Sequence, residues 1–127
     1  MTGWSSAQRE AIAGAQELEI AVRREDGEDG RWTPIWVVVV GDDVLVRTWH
    51  LRDTGWYGRA RRAGSARVRV PGASAEVRVE QVGGAHDRAA VDTAYRQKYG
   101  TGGAESMTSE EAAASTLLLR PESRPSQ

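Results

Sequence analysis

Residues 32–50 read WTPIWVVVVGDDVLVRTWH. The run from Trp32 to Val40 is apolar on both of its alternating faces, which predicts a central strand covered on two sides. Pro34 lacks an N–H, so it belongs near the start of that strand or at a bulge. Gly41-Asp42-Asp43 predicts a tight hairpin turn. Val44 to His50 then returns as a strand, with Val44, Val46, Thr48 and His50 on one face and Leu45, Arg47, Trp49 and Leu51 on the other.

Working outward from this hairpin, the N-terminal side holds a helix and a strand. Ser5 and Gln8 have capping-box spacing ahead of a helix over 6–15. Residues 17–23 alternate, with Leu18, Ile20 and Val22 on one face, as a half-buried strand does. Two glycines in the 26–30 segment suit a turn. On the C-terminal side, Asp53 or Thr54 caps a helix over 54–63, and Gly64 ends it. Strands around 66–70 and 77–79 pair across Pro71-Gly72, with arginines facing glutamates on the wet side. A helix over 87–99 carries an apolar stripe of Val91, Ala94, Tyr95 and Tyr99. One helical turn at 108–113, a strand at 115–120 and a disordered tail at 121–127 complete the chain. Six modest strands with short turns and flanking helices predict a mainly β fold, a small barrel forming one domain over 1–120.

Composition narrows the function classes. The 127 residues carry a net charge of −1, which argues against bulk affinity for nucleic acid. There is no cysteine, and the two histidines stand far apart without ligand spacing, so no metal site is expected. No apolar run approaches the ~20 residues of a membrane span. With no secretory pattern at the N-terminus, the expected location is the cytoplasm. No P-loop, dinucleotide fingerprint or serine-nucleophile elbow occurs.

Charge is nonetheless uneven. Seven arginines and one aspartate lie between Arg47 and Arg69. Arginine grips phosphate in a two-point fork, so Arg47, Thr48, His50 and Arg52, just ahead of a helix N-terminus, are candidates to hold an anion. Arg61 and Arg62 read as a solvated helix face. The tryptophans can stack on a planar ring, or they can simply pack a core or a subunit seam. An arginine stripe of Arg59, Arg62, Arg67 and Arg69 would suit a nucleic-acid-associated module, for which the net charge leaves little room.

Several stretches carry a family resemblance: Glu17-Leu18-Glu19-Ile20, Thr33-Pro34-Ile35-Trp36-Val37-Val38, Trp56-Tyr57, Ala94 to Gly100, and Ser115 to Leu119. Over roughly 4–120 the chain resembles an uncharacterised bacterial domain family similar to the split-barrel superfamily of pyridoxamine-phosphate oxidases, FMN-binding proteins and deazaflavin-dependent nitroreductases. Gly30-Arg31-Trp32-Thr33-Pro34-Ile35 resembles the entry to the second strand of the deazaflavin enzymes, and Trp56-Tyr57 their pair opening the short helix. Trp49-His50-Leu51 replaces their Gly-Gly, and Gly58-Arg59 stands where they carry asparagine. The resemblance implies a six-stranded, FMN-binding-like split β-barrel and a homodimer with FMN or a deazaflavin in the seam. It also implies hydride transfer to a small organic substrate. Thr33, Pro34 and Trp36 would line the ring, Arg47, Thr48, His50 and Arg52 would hold the phosphate, and Trp56, Tyr57 and Arg59 would close the pocket. The alternative is a non-enzymatic module holding another anionic metabolite in the same groove.

Overall fold

The computed structural model describes residues 4–22, 28, 30–48, 55–83, 88–100 and 107–122. In chain order the elements are α1 (Ser6–Gly14), β1 (Leu18–Ala21), β2 (Thr33–Ile35), β3 (Val37–Val40), β4 (Asp43–Val46), α2 (Gly55–Ala63), β5 (Ser65–Val70), β6 (Ala73–Gln81), α3 (Arg88–Tyr99), α4 (Glu110–Ala114) and β7 (Leu117–Pro121). Ser5 and Gln8 form the expected capping box on α1. The Gly41-Asp42 turn closes with Val40 opposite Asp43, and Gly41 takes a positive φ of 59°. That conformation is costly for any residue with a side chain.

The strands form one antiparallel sheet in the order β2-β1-β5-β6-β7-β4-β3. Its two ends are consecutive in the chain. The apolar run expected as one strand over 32–40 is broken at Trp36, so six expected strands become seven. Thr33–Ile35 pairs with β1, while Val37–Val40 pairs with β4. The halves of one extended segment thus seal the two edges of the sheet into a nearly closed barrel. Pro34 lies in the first half, opposite Glu19.

Two apolar layers explain why that run is apolar on both sides. Inside the barrel, Leu18, Ile20, Ile35, Val37, Val44, Val46, Val68, Val77, Leu117 and Leu119 share one cluster. Trp4 belongs to it as well, and its indole N–H donates to the Leu119 carbonyl at 3.0 Å. On the outer face of β3, β4 and β7, Val38, Leu45 and Leu118 pack against Val91 and Tyr95 of α3 and against Met107. The β5–β6 hairpin is wet on one face, as expected. Arg67 meets Glu76 across it at 3.1 Å, but Arg69 turns the other way, to Glu19 of β1 at 2.8 Å. The last strand runs through Pro121, one residue past the expected strand end, and the Glu122 N–H donates to the Glu76 carbonyl at 2.8 Å. No helix among the described residues is long and apolar enough to cross a membrane.

Candidate functional site

The break at Trp36 frees backbone groups that α3 then satisfies. The Tyr99 hydroxyl accepts the Val37 N–H at 3.1 Å and lies 2.8 Å from the Gln16 carbonyl, to which it donates. Lys98, the only lysine of the chain, donates from Nζ to the carbonyls of Val37 at 2.8 Å and Ile12 at 3.3 Å. Burial lowers the Lys98 pKa to about 8 and raises that of Tyr99. The Trp36 indole turns outward and stacks on Tyr99, centroids 4.1 Å apart and planes 3° apart. The break therefore leaves a fixed aromatic wall on the outside of the barrel.

That wall borders a cleft of about 400 Å³, lined also by Glu17, Pro34, Arg47, Thr48 and Trp56. A second cleft of about 660 Å³ is lined by Arg31, Trp32, Thr33, Pro34, Trp56 and Arg59 among others. Pro34 and Trp56 line both, so the two clefts adjoin. Of the residues expected at a site, Thr33, Pro34, Trp36, Arg47, Thr48, Trp56 and Arg59 are brought to this double cleft. Tyr57 is not. Its ring is 3% exposed in the barrel interior, edge-on to Trp56, and its hydroxyl has no hydrogen-bond partner among the described residues. His50 and Arg52 lie outside the described residues, as does the expected cap at Asp53 or Thr54.

The arginines divide sharply. Arg47 is fully buried on the outer face of β4, beneath α3. Its Nη1 donates to Asp92 Oδ1 at 2.5 Å and to the Met107 carbonyl at 2.8 Å, and its Nε to Thr116 Oγ1 at 2.9 Å. Its guanidinium lies 5.7 Å from the Tyr95 ring centroid. The next residue, Thr48, is held through its backbone, since its N–H donates to the Ser115 hydroxyl at 2.9 Å, whose own proton goes to the Ala112 carbonyl at 2.6 Å. Arg31 and Arg59 are exposed, line the larger cleft, and have no ion pair or hydrogen bond among the described residues. Among the described residues no acid lines that cleft with them. The stripe proposed for nucleic acid is partly neutralised, because Arg67 and Arg69 are paired with glutamates and Arg69 also lies 3.9 Å over the Trp32 ring.

Asp92 is a residue that nothing in the sequence marks as part of this site. Its one available signal is position, because it follows Val91 on the stripe that faces the sheet and stands four residues after Arg88, whose Nε lies 3.6 Å from Asp92 Oδ2. Arg31 has no sequence signal beyond its place in the Gly30-to-Ile35 resemblance. Among the described residues no cluster of His, Cys, Asp and Glu could hold a metal ion.

Solved structures with this architecture come from several bacteria. A conserved hypothetical protein, Rv2991, from Mycobacterium tuberculosis superposes with a TM-score of 0.59 at 15% identity, covering 98% of this chain and 83% of its own. A "putative 5-nitroimidazole antibiotic resistance protein" from Bacteroides thetaiotaomicron gives 0.59 at 12% identity, covering 95% and 81%. The protein Atu2129 of Agrobacterium tumefaciens, of unknown function, gives 0.59 at 12% identity, and the chain spans 50% of its length. At these identities the likeness is one of fold. No curated protein sequence matches the chain. A family model does match residues 8–119, nearly the whole described barrel, and the chain belongs to DUF2255, a family described as an uncharacterized protein conserved in bacteria.

Proposed function

We propose that the double cleft binds a flavin or deazaflavin cofactor, FMN or a deazaflavin relative, and that the protein is an oxidoreductase acting on a small organic substrate. The observation that carries this reading is the joining of an aromatic-walled cleft to one bearing two exposed arginines that have no partner among the described residues. Trp36, Pro34 and Trp56 offer flat apolar surfaces to a ring. Arg31 and Arg59 offer forked donors to a phosphate-bearing tail. Arg47 is already engaged by Asp92, so it is poorly placed to grip phosphate as well. The bound group would supply a hydride, two electrons with one proton, and a proton from water would complete the reduced product. The fold shared with a protein named for 5-nitroimidazole antibiotic resistance supports a nitro-bearing substrate as the first to try. A second copy of the chain closing the clefts is part of the reading, and light scattering should then return twice the 13.8 kDa chain mass.

The test is an absorbance spectrum and mass analysis of the purified, unheated protein, followed by titration with FMN and with riboflavin, which lacks the phosphate. Both should quench tryptophan fluorescence. FMN should bind about 10- to 100-fold more tightly, and the Arg31→Gln/Arg59→Gln double variant should erase that difference. If neither quenches by about millimolar concentration, a gain of ~4 kcal/mol or less, the cofactor reading falls. The two exposed arginines favour one second reading, a non-enzymatic module for another anionic metabolite. Inorganic pyrophosphate would then raise the unfolding temperature of the wild type and not of the double variant. Steep loss of DNA or RNA binding with salt would instead indicate a nucleic-acid module.

A further inference from the structure

Glu17 and Glu19 stand two residues apart at the start of β1, alternating with the inward Leu18, and they are used differently. Glu19 is engaged by Arg69 at 2.8 Å. Glu17 is exposed and has no ion pair or hydrogen bond among the described residues. The β1–β2 register sets Leu18 against Ile35 and Glu19 against Pro34. Carried one residue further, it sets Glu17 across from Trp36, where side chains on one face of neighbouring strands meet. Tyr99 fixes the spot, because its ring stacks on Trp36 and its hydroxyl donates to the carbonyl of Gln16, the residue before Glu17. Burial chiefly raises the Tyr99 pKa, and the Glu17 carboxylate adds to that rise, so its field reaches the aromatic wall.

The charges that face the two clefts are therefore opposite. In the smaller cleft Arg47 is sealed and balanced by Asp92, which leaves Glu17 as the one unbalanced charge among the described lining residues. In the larger cleft the exposed charges are those of Arg31 and Arg59. A phosphate suits the larger cleft and would meet a like charge in the smaller. A cation suits the smaller, since the ring of tryptophan attracts positive charge over its face and a carboxylate beside it adds to the pull. Trp36 and Trp56 supply two such rings on that cleft. A small, strongly hydrated metal ion would need several oxygen ligands, and no cluster of that kind exists among the described residues, so the fitting cation is an organic one.

Resting on the cofactor reading above for its role as substrate, we propose that the smaller cleft receives a flat organic cation, a ring bearing a quaternary or protonated nitrogen, held by the Glu17 carboxylate against the tryptophans. The double cleft is then bipolar. Arg31 and Arg59 draw a phosphate-bearing tail to one side, Glu17 draws the cationic ring to the other, and Pro34 and Trp56 are common to both.

Two probes of nearly equal size separate charge from shape: 1-methylquinolinium, a permanent cation, and 4-methylquinoline, uncharged at about pH 7.5. Titrated calorimetrically into the full chain at low salt, the cation should bind about tenfold more tightly. Glu17→Gln should cut that preference to about threefold or less, and about 0.5 M salt should do the same to the wild type. Because Glu17 is exposed, its substitution should leave the unfolding temperature unchanged, so a lost preference reads the cleft and not the fold. Glu19→Gln, on the carboxylate that Arg69 engages, should keep the preference of the wild type. Equal binding of the two probes, binding of neither, or a preference that survives Glu17→Gln overturns the proposal and leaves the FMN titration to judge the cofactor reading. A preference that Glu17→Gln abolishes, in a chain that binds no FMN, upholds the cation site and removes the cofactor reading alone.

Discussion

Two groups of arginines lie close together at this site and do opposite things. Arg47 is sealed beneath α3 with a carboxylate, a hydroxyl and a carbonyl around it, whereas Arg31 and Arg59 stand exposed on an aromatic cleft without partners among the described residues. The difference is one of layers. A strand in a barrel with no outer cover buries every second residue. Here α3 adds an outer layer over β3, β4 and β7, so an arginine pointing away from the barrel interior is still removed from water. The buried cation organises the wall, and the exposed ones remain available to a ligand.

The contrast breaks most visibly in stability. Arg47→Met would leave Asp92 buried without its main partner and should cost about 3–5 kcal/mol, read as a lowered urea midpoint with an unchanged slope. A loss below about 1 kcal/mol would mean that the pair is solvated and the layer argument wrong. Tyr99→Phe removes the hydroxyl that bridges Val37 and Gln16 beside the strand break. It should cost about 1–2 kcal/mol by the same assay and should also weaken ligand binding, because Trp36 stacks on that ring.

Lys98 is an intermediate case, half-buried with its pKa lowered to about 8 by burial. Between about 8 and the ordinary 10.5, the unfolded chain binds a proton at this lysine that the folded chain does not, so stability should rise with pH through that window. Above about 10 the sign reverses. Burial raises the pKa values of Tyr57, Tyr95 and Tyr99, the unfolded tyrosines lose their protons first, and stability falls. Thermal unfolding from pH 7 to 11 should show this rise and fall, and Lys98→Gln should flatten the rising limb alone. The smallest stability effect belongs to the exposed pair. Arg31→Gln and Arg59→Gln should each change stability by no more than about 0.5 kcal/mol, while together weakening FMN binding as described above. A large stability loss would place them with Arg47.

Much of this fold is legible as alternation. The faces of 17–23 and 44–48, the capping box at Ser5, and the stripe on α3 follow from spacing alone. The break at Trp36 does not, because Ile35, Trp36 and Val37 keep the period of an unbroken strand, and only the pairing partners change. The burial of Arg47 leaves a faint trace in Leu45, two residues earlier on the same face, where an apolar side chain already implies an outer layer. Thr33, Pro34, Trp36 and Trp56 are reached through the resemblance, which fixes the order of elements and hence what can converge. Asp92 is invisible because its partner lies 45 residues away, and no local pattern encodes a pairing between a strand and a distant helix.

The strand break also sets a rule about length. Ile35 and Val37 both point into the barrel, each held in register by a different neighbour, with a single residue between them. Side chains alternate with period two, so one residue inserted or removed at Trp36 would turn one half of the segment inside out. Because that segment seals both edges of the sheet, such a slip would open the barrel at its seam. Indels should therefore be tolerated at the turns and excluded from this one peptide, whatever ligand the chain binds.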